Sequence, residues 1–415
     1  MARHERLPNG SSNARTQKLE RAVAELLTLP LLRENVFHSA RYADAGVEKE
    51  LCDVLLMHRG KAMIVSVKAQ GADRNRQDAE RWLQKAASKA VAQIAGACRT
   101  LRERSSWCEQ DGERRELAAG EVLPVHGVAL VESSFECCLT VDDGPLARAR
   151  KAVPVTFMTL NDFVAVASYL RTWRDLDAYL TARTAALAEP DRSTVGAERA
   201  LFSFYTVMRD SFASFRGISD AKIVAAAGRH VVEGSAFRDR ERGLAAIFEE
   251  FLAQISTCGE MELPAEEEHL SAHLGNLDVG KRRLRDELCE LGIQDRAALG
   301  EQIGHVCGRV AAEASVGLLV HGAVRLPTQP DKVYVIVAGW NAAHGEAGLQ
   351  ALDLGLAACH HYERRAAVVL LINQVGDTVR TTLGMIENVA KDDEYAALGE
   401  ELYGHIKPRR VEPRR

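Results

Sequence analysis

The stretch Glu48–Gln70 constrains the fold of this chain more than any other. Two apolar runs, Val54–Met57 and Ala62–Val67, are split by His58-Arg59-Gly60-Lys61, the pattern of a strand, a tight polar turn and a returning strand. Side chains alternate across a strand, so Ser66, Lys68 and Gln70 project from one side, toward the face that can also carry Asp53. A carboxylate at the start of one strand and an ammonium at the end of its neighbour make a polar cluster on an otherwise apolar scaffold.

The surrounding chain supplies the rest of a layered domain. Residues 1–16 read as a flexible leader, and Gln17–Leu29 carries Leu19, Val23, Leu26 and Leu27 at helical spacing before Pro30 stops it. Val36–Tyr42 reads as a first strand, and Asp44-Ala45-Gly46 as a turn into the hairpin. After Gly71, Trp82, Leu83, Ala86, Ala90, Val91, Ile94, Cys98 and Leu101 recur at three- and four-residue steps, an alanine-rich face that can lie close against a sheet. Ser105–Gly120 is charged and reads as a loop, and Val122–Val131 and Ala152–Met158 read as two more strands. The order helix, three strands, helix, two strands predicts an α/β (α+β) domain over 17–159, with a mixed sheet flanked by helices.

The combination of acid, apolar strand, turn and apolar strand ending in x-x-Lys resembles the core of the PD-(D/E)XK nuclease superfamily, the restriction-endonuclease-like fold. The resemblance covers about the first 160 residues and implies α-β-β-β-α-β topology. It implies that Asp53 holds a divalent ion, Mg²⁺ or Mn²⁺, and that Lys68 orients a water or stabilises the transition state. Its second acid falls on Ser66, a poor ligand for a hard cation. A replacement acid is therefore expected, with Glu20 on the first helix, Glu50, Asp78 and Glu80 as candidates. Gln70, facing the same way, would accept from the lysine or contact the scissile phosphate.

Charge and composition set limits on partners. The 415 residues carry a net charge of −5, so nucleic-acid binding needs a local patch. The helix after Gly71 offers one: Arg74, Arg76, Arg81, Lys85 and Lys89 lie on it, and residues 73–104 hold eight basic against four acidic side chains. Solvated ion pairs along the helix explain the same charges equally well. Nine scattered cysteines suit reduced, buried thiols in a cytoplasmic protein better than a disulfide framework. No apolar run is long enough to span a bilayer, and Met1–Arg15 is polar, so no membrane association is expected.

Beyond the first domain, 160–330 reads as a helical region, with Asn161 able to cap its first helix and the aromatics around Leu201–Phe215 packed inside. Residues 331–415 read as a small α/β domain with a basic tail. In it, strand Lys332–Ala338, helix Gly348–Tyr362 and strand Ala366–Asn373 form a buried β-α-β unit. Three functions follow. The first is a metal-dependent nuclease acting on DNA or RNA, whose extra modules resemble those of bacterial defence effectors. The second is a degenerate nuclease fold that binds nucleic acid or protein without cutting. The third is an assembly protein in which the nuclease-like domain is vestigial and the helical middle drives self-association, with a homo-oligomer or protein partner held through the helical and C-terminal domains.

Overall fold

The computed structural model describes residues 10–27, 35–69, 76–110, 113–132, 137–138, 153–186, 194–195, 198–207, 212, 239–253, 287–288, 290–313, 315–376, 378–387, 389 and 392–404. The chain divides into two compact units, Met1–Arg238 and Asp239–Arg415. The sequence reading placed its boundaries at 159 and 330.

The first unit is a mixed α/β body. Its elements are α1 (Gly10–Leu27), β1 (Val36–Asp44), β2 (Val47–His58), β3 (Lys61–Lys68), α2 (Arg76–Glu103), β4 (Ser106–Gln110), β5 (Glu113–Leu117) and β6 (Leu123–Val131). They continue with β7 (Cys137–Cys138), β8 (Val155–Thr159), α3 (Leu160–Leu170), α4 (Trp173–Ala186), β9 (Thr194–Val195) and α5 (Glu198–Val207). Seven strands form one sheet in the order β5-β4-β1-β2-β3-β6-β8. Pairing is antiparallel from β5 through β3 and parallel from β3 through β6 to β8.

Both hairpin turns at the centre are sequence-driven. Ala45-Gly46 and Arg59-Gly60 take positive φ at both turn positions, the two-residue geometry that matches the twist of antiparallel strands. Val54 pairs with Val65 and His58 with Lys61, which fixes the register expected from the two apolar runs.

Period-two alternation then sorts side chains to two layers. Val54, Leu56, Met63, Val65 and Val67 pack with Val23 and Leu27 of α1 and Phe163 and Val166 of α3. Leu55, Met57, Ala62 and Ile64 pack with Leu83, Ala90, Ile94 and Leu101 of α2. The alanine face of α2 brings its backbone close to the sheet: a Cβ on Gly127 of β6 would stand 2.6 Å from Ile94 Cγ2.

Four local expectations change. Helix α1 begins at Gly10, inside the stretch read as a leader. Once the Leu19, Val23 and Leu27 stripe nucleates a helix, each added residue costs little. The charged segment Ser105–Gly120 is not a loop but contains the β4–β5 hairpin, which pairs with β1 through Arg41 and Tyr42. Glu109, Arg114 and Glu116 are exposed, while Cys108 and Leu117 are buried. The cap of α3 is Thr159 rather than Asn161: the last strand residue stays extended and its hydroxyl accepts from Asp162 N at 3.0 Å.

Finally, residues 160–207 belong to the first unit. Fully buried Arg183 of α4 meets Glu198 of α5 at 2.7 and 3.0 Å, Tyr179 donates to the same carboxylate, and Phe202, Phe204 and Tyr205 join the sheet core. The aromatic segment is packing, as expected.

The second unit contains a helix over residues 239–253, α6 (Ile293–Glu313), β10 (Leu318–Val324), β11 (Lys332–Trp340), α7 (His344–His361), β12 (Ala366–Val375), β13 (Thr378–Glu387) and α8 (Asp393–Tyr403). Its sheet order is β10-β11-β12-β13, with β11 and β12 parallel as the β-α-β reading requires. Strands β10 and β13 extend that unit on both sides. The expected helix over 265–274 and residues 280–286 and 289 of the one expected over 280–291, together with Phe215 and the basic tail, lie outside the described residues.

Candidate active site

The site is built where β2 and β3 part. Their ladder runs from His58 and Lys61 to Val54 and Val65 and goes no further. One residue on, Asp53 turns its side chain into the gap, and its Oδ2 accepts the Val67 backbone N–H at 2.6 Å in place of a strand partner. The same oxygen lies 3.1 Å from Lys68 Nζ. The Asp53 side chain is 4% exposed and that of Lys68 21%. The ion pair is therefore largely dry, with the ammonium toward solvent.

Ser66, Lys68 and Asp53 all face the α2 layer, which supplies a fourth member that the sequence reading missed. Gln93 of α2 donates from Nε2 to Asp53 Oδ1 at 2.6 Å, while its Oε1 accepts from Ser66 Oγ at 2.8 Å and Lys68 Nζ at 2.7 Å. A signal for it existed. Ala86, Ala90 and Ala97 are buried on one ridge of α2, and Gln93 is the amide that interrupts it at helical spacing. A polar group on a buried ridge requires a partner.

The replacement acids separate clearly. Glu20 of α1 has a nine-tenths buried side chain, and burial, followed by the fields of Asp53 and Glu50, pushes its pKa up to about 7. It is thus within electrostatic reach of the pocket. Glu50 is exposed on β2 and acts on Glu20 and His38 through its charge. Glu80 and Asp78 sit at the far end of α2. Thirteen residues at about 1.5 Å each put Glu80 roughly 20 Å along the axis from Gln93, too far to share an ion with Asp53. Expecting Glu80 over the strand end took the N-terminus of α2 for the part that crosses the pocket, whereas its middle does.

Among the basic candidates, Lys89 and Lys85 are exposed one and two turns before Gln93, and Arg81 pairs loosely with Asp78 at 3.9 Å. Arg76 begins α2. Gln70 and Arg74 lie outside the described residues.

Among the described residues no group of three His, Cys, Asp or Glu side chains stands close enough to hold a metal as placed. No described helix is long and apolar enough to cross a membrane. Comparison with family models, with curated proteins and with solved structures finds no match.

Proposed function

We propose that the first unit is a metal-dependent nuclease of the restriction-endonuclease-like type that hydrolyses phosphodiester bonds in DNA or RNA. The observation that carries this reading is the Asp53–Lys68 pair, 3.1 Å apart in one part-buried pocket at the open end of a strand ladder. Acid and ammonium share a side of the sheet with no apolar residue between them. Asp53 and, of the candidate acids, Glu20 are the residues that would hold Mg²⁺ or Mn²⁺, since Glu20 is a buried carboxyl that feels the charge of Asp53 and Ser66 is committed to Gln93. When bound, such an ion neutralises charge on the phosphate and lowers the pKa of an attacking water.

The protein's own groups do the remainder. Lys68 presents its ammonium to a phosphoryl oxygen or to the water, and Gln93, which also donates to Asp53, accepts from that ammonium and holds it in place. Lys85 and Lys89 extend positive charge along α2 beside the pocket, where a phosphate backbone would run.

Incubation of the full chain with plasmid DNA and with structured RNA, each with Mg²⁺ and with Mn²⁺, tests the reading. Cleavage that needs the ion and falls by at least about 10²-fold in both Asp53→Asn and Lys68→Ala is expected. Cleavage unchanged in either variant excludes this pocket.

A second reading has its own observation. Asp53 spends both oxygens on Val67, Lys68 and Gln93, and Ser66 spends its hydroxyl on Gln93, so the pocket is also a self-satisfied polar plug. Salt-sensitive nucleic-acid binding without cleavage under either ion supports that alternative.

A further inference from the structure

Both charged groups of the pocket have their bonding capacity taken up inside it. A lysine ammonium has three protons to donate. Lys68 Nζ is within reach of three acceptors, Asp53 Oδ2 at 3.1 Å, the Val67 carbonyl at 3.1 Å and Gln93 Oε1 at 2.7 Å. Asp53 in turn accepts from the Val67 N–H and Lys68 on Oδ2 and from Gln93 Nε2 on Oδ1. A phosphoryl oxygen coming to the ammonium, or a cation coming to the carboxylate, must displace one of these partners.

One of them is placed to leave. The Val67 groups are backbone of β3, which is paired to β6 through Val67 and Lys68. Gln93 reaches in from α2 on a part-buried side chain and can turn about its own bonds without moving a strand. Helical side chains lean toward the N-terminus, so a residue one turn further on would cover it. That residue is Gly96, where an added Cβ meets no described atom within 4 Å. Helix α2 itself leaves the outer side of the amide uncovered.

The sense of the amide is fixed as well. An ammonium only donates and an ionised carboxylate only accepts, so Oε1 must face Lys68 and Nε2 must face Asp53. A half-turn would set donor against donor and oxygen against oxygen. To make room, the amide has to swing away from Asp53 rather than flip in place.

We propose that Gln93 is an autoinhibitory latch: with its carboxamide closed, neither Asp53 Oδ1 nor Lys68 has capacity for a ligand, and the pocket opens only as Nε2 swings off Asp53. Oε1 can stay on Lys68 through that swing, so the side chain that shuts the pocket also steadies the ammonium. The latch rests on the nuclease reading only for the identity of what enters. Turnover mixes the two roles of the amide, so the test reads the pocket without it.

The full chain is treated with formaldehyde and cyanoborohydride, and methylation of each lysine is followed by peptide mass spectrometry. Exposed Lys85 and Lys89 serve as internal references. Gln93→Met keeps the length of the side chain without its donor or acceptor. It should speed methylation of Lys68 relative to the references by at least about tenfold, the weight of one hydrogen bond to a charged group. Calorimetric titration with Mn²⁺ alone should show tighter binding by a similar factor, about tenfold, because Asp53 Oδ1 no longer has a resident donor.

Gln93→Glu separates the two contacts and carries the test if Gln93→Met fails to fold in a thermal melt. It keeps an acceptor for Lys68 and loses the donor to Asp53, so Lys68 should stay as slow as in the wild type while Mn²⁺ binds more tightly. A folded Gln93→Met protein that methylates Lys68 at the wild-type rate, or binds Mn²⁺ with the wild-type affinity, overturns the latch. Faster methylation in a protein that takes no Mn²⁺, with or without Gln93, supports the latch and overturns the nuclease reading instead.

Discussion

The two sheets share a construction, an antiparallel strand pair whose second strand is followed by a helix and then a parallel neighbour: β2-β3-α2-β6 in the first unit, with β4 and β5 between α2 and β6, and β10-β11-α7-β12 in the second. They differ at one end of the pair. In the second unit the ladder stays closed from Val324 and Tyr334 to Leu318 and Trp340, through the last residue of β11. Gly339 lies there in close packing, where an added Cβ would meet Leu319 Cδ2 at 2.8 Å and Asn373 Oδ1 at 2.9 Å. In the first unit the ladder stops at Val54 and Val65, and Asp53, Lys68 and Gln93 occupy the opening. The same topology gives a packed end in one case and a polar pocket in the other. What separates them is a single acid that replaces a strand hydrogen bond with a side-chain one.

The largest expected effect of breaking that contrast is at Gln93. Gln93→Leu leaves Asp53 Oδ1 and the Ser66 hydroxyl unsatisfied and frees Lys68 on one side. It should cost about 1–3 kcal/mol in chemical denaturation. If the pocket cleaves, turnover should fall by more than the substrate affinity, because the ammonium loses its fixed position. A Gln93→Leu protein as stable as wild type would show that the network does not hold the pocket.

Glu20 gives an effect of similar size with a characteristic pH dependence. Its pKa is about 7 in the folded chain against 4.5 for the ordinary group, so the folded state holds the proton more tightly. Stability in chelator should therefore be greatest below about pH 4.5 as far as this group is concerned. It should decline by about 1–3 kcal/mol as pH rises to 7 and level off above. Glu20→Gln should flatten that slope, and a slope that survives the substitution assigns it to other groups.

The smallest effect is in the second unit. Gly339→Ala inserts a methyl where Leu319 and Asn373 must both give way, at about 1 kcal/mol in thermal melting. The closed end there should tolerate no polar pocket, whereas Lys68→Met in the first unit should be folded.

Particular residues show how far the sequence could be read. Asp53, Ser66 and Lys68 were legible because period-two alternation is a local property: given the turn at Arg59-Gly60, their shared face follows. The β-α-β pattern of the second unit was legible for the same reason, from apolar runs buried on both faces. Strands β4, β5, β10 and β13 were harder. Glu109, Arg114 and Glu116 of β4 and β5 are exposed charges, and β10 and β13 are the outer strands of their sheet, each paired on one side only. Thr159 ends a strand and caps the next helix, and the burial of Arg183 against Glu198 depends on two helices meeting, neither of which a local pattern shows. Gln93 lies 25 residues from Lys68, and the interruption of an alanine ridge marked it as buried without naming its partners.

By itself the sequence determined which residues of each strand share a face, where the central hairpin turns and which side of α2 is apolar. All of these follow from bond geometry and the period of the local backbone. Tertiary structure alone decided that β2 and β3 part at Asp53, that the middle of α2 rather than its start crosses the opening, and that Glu20 and His38 face each other across 4.0 Å. Those placements depend on how separate elements pack in three dimensions, and hydrogen-bond satisfaction between distant residues leaves little trace in the order of amino acids along the chain.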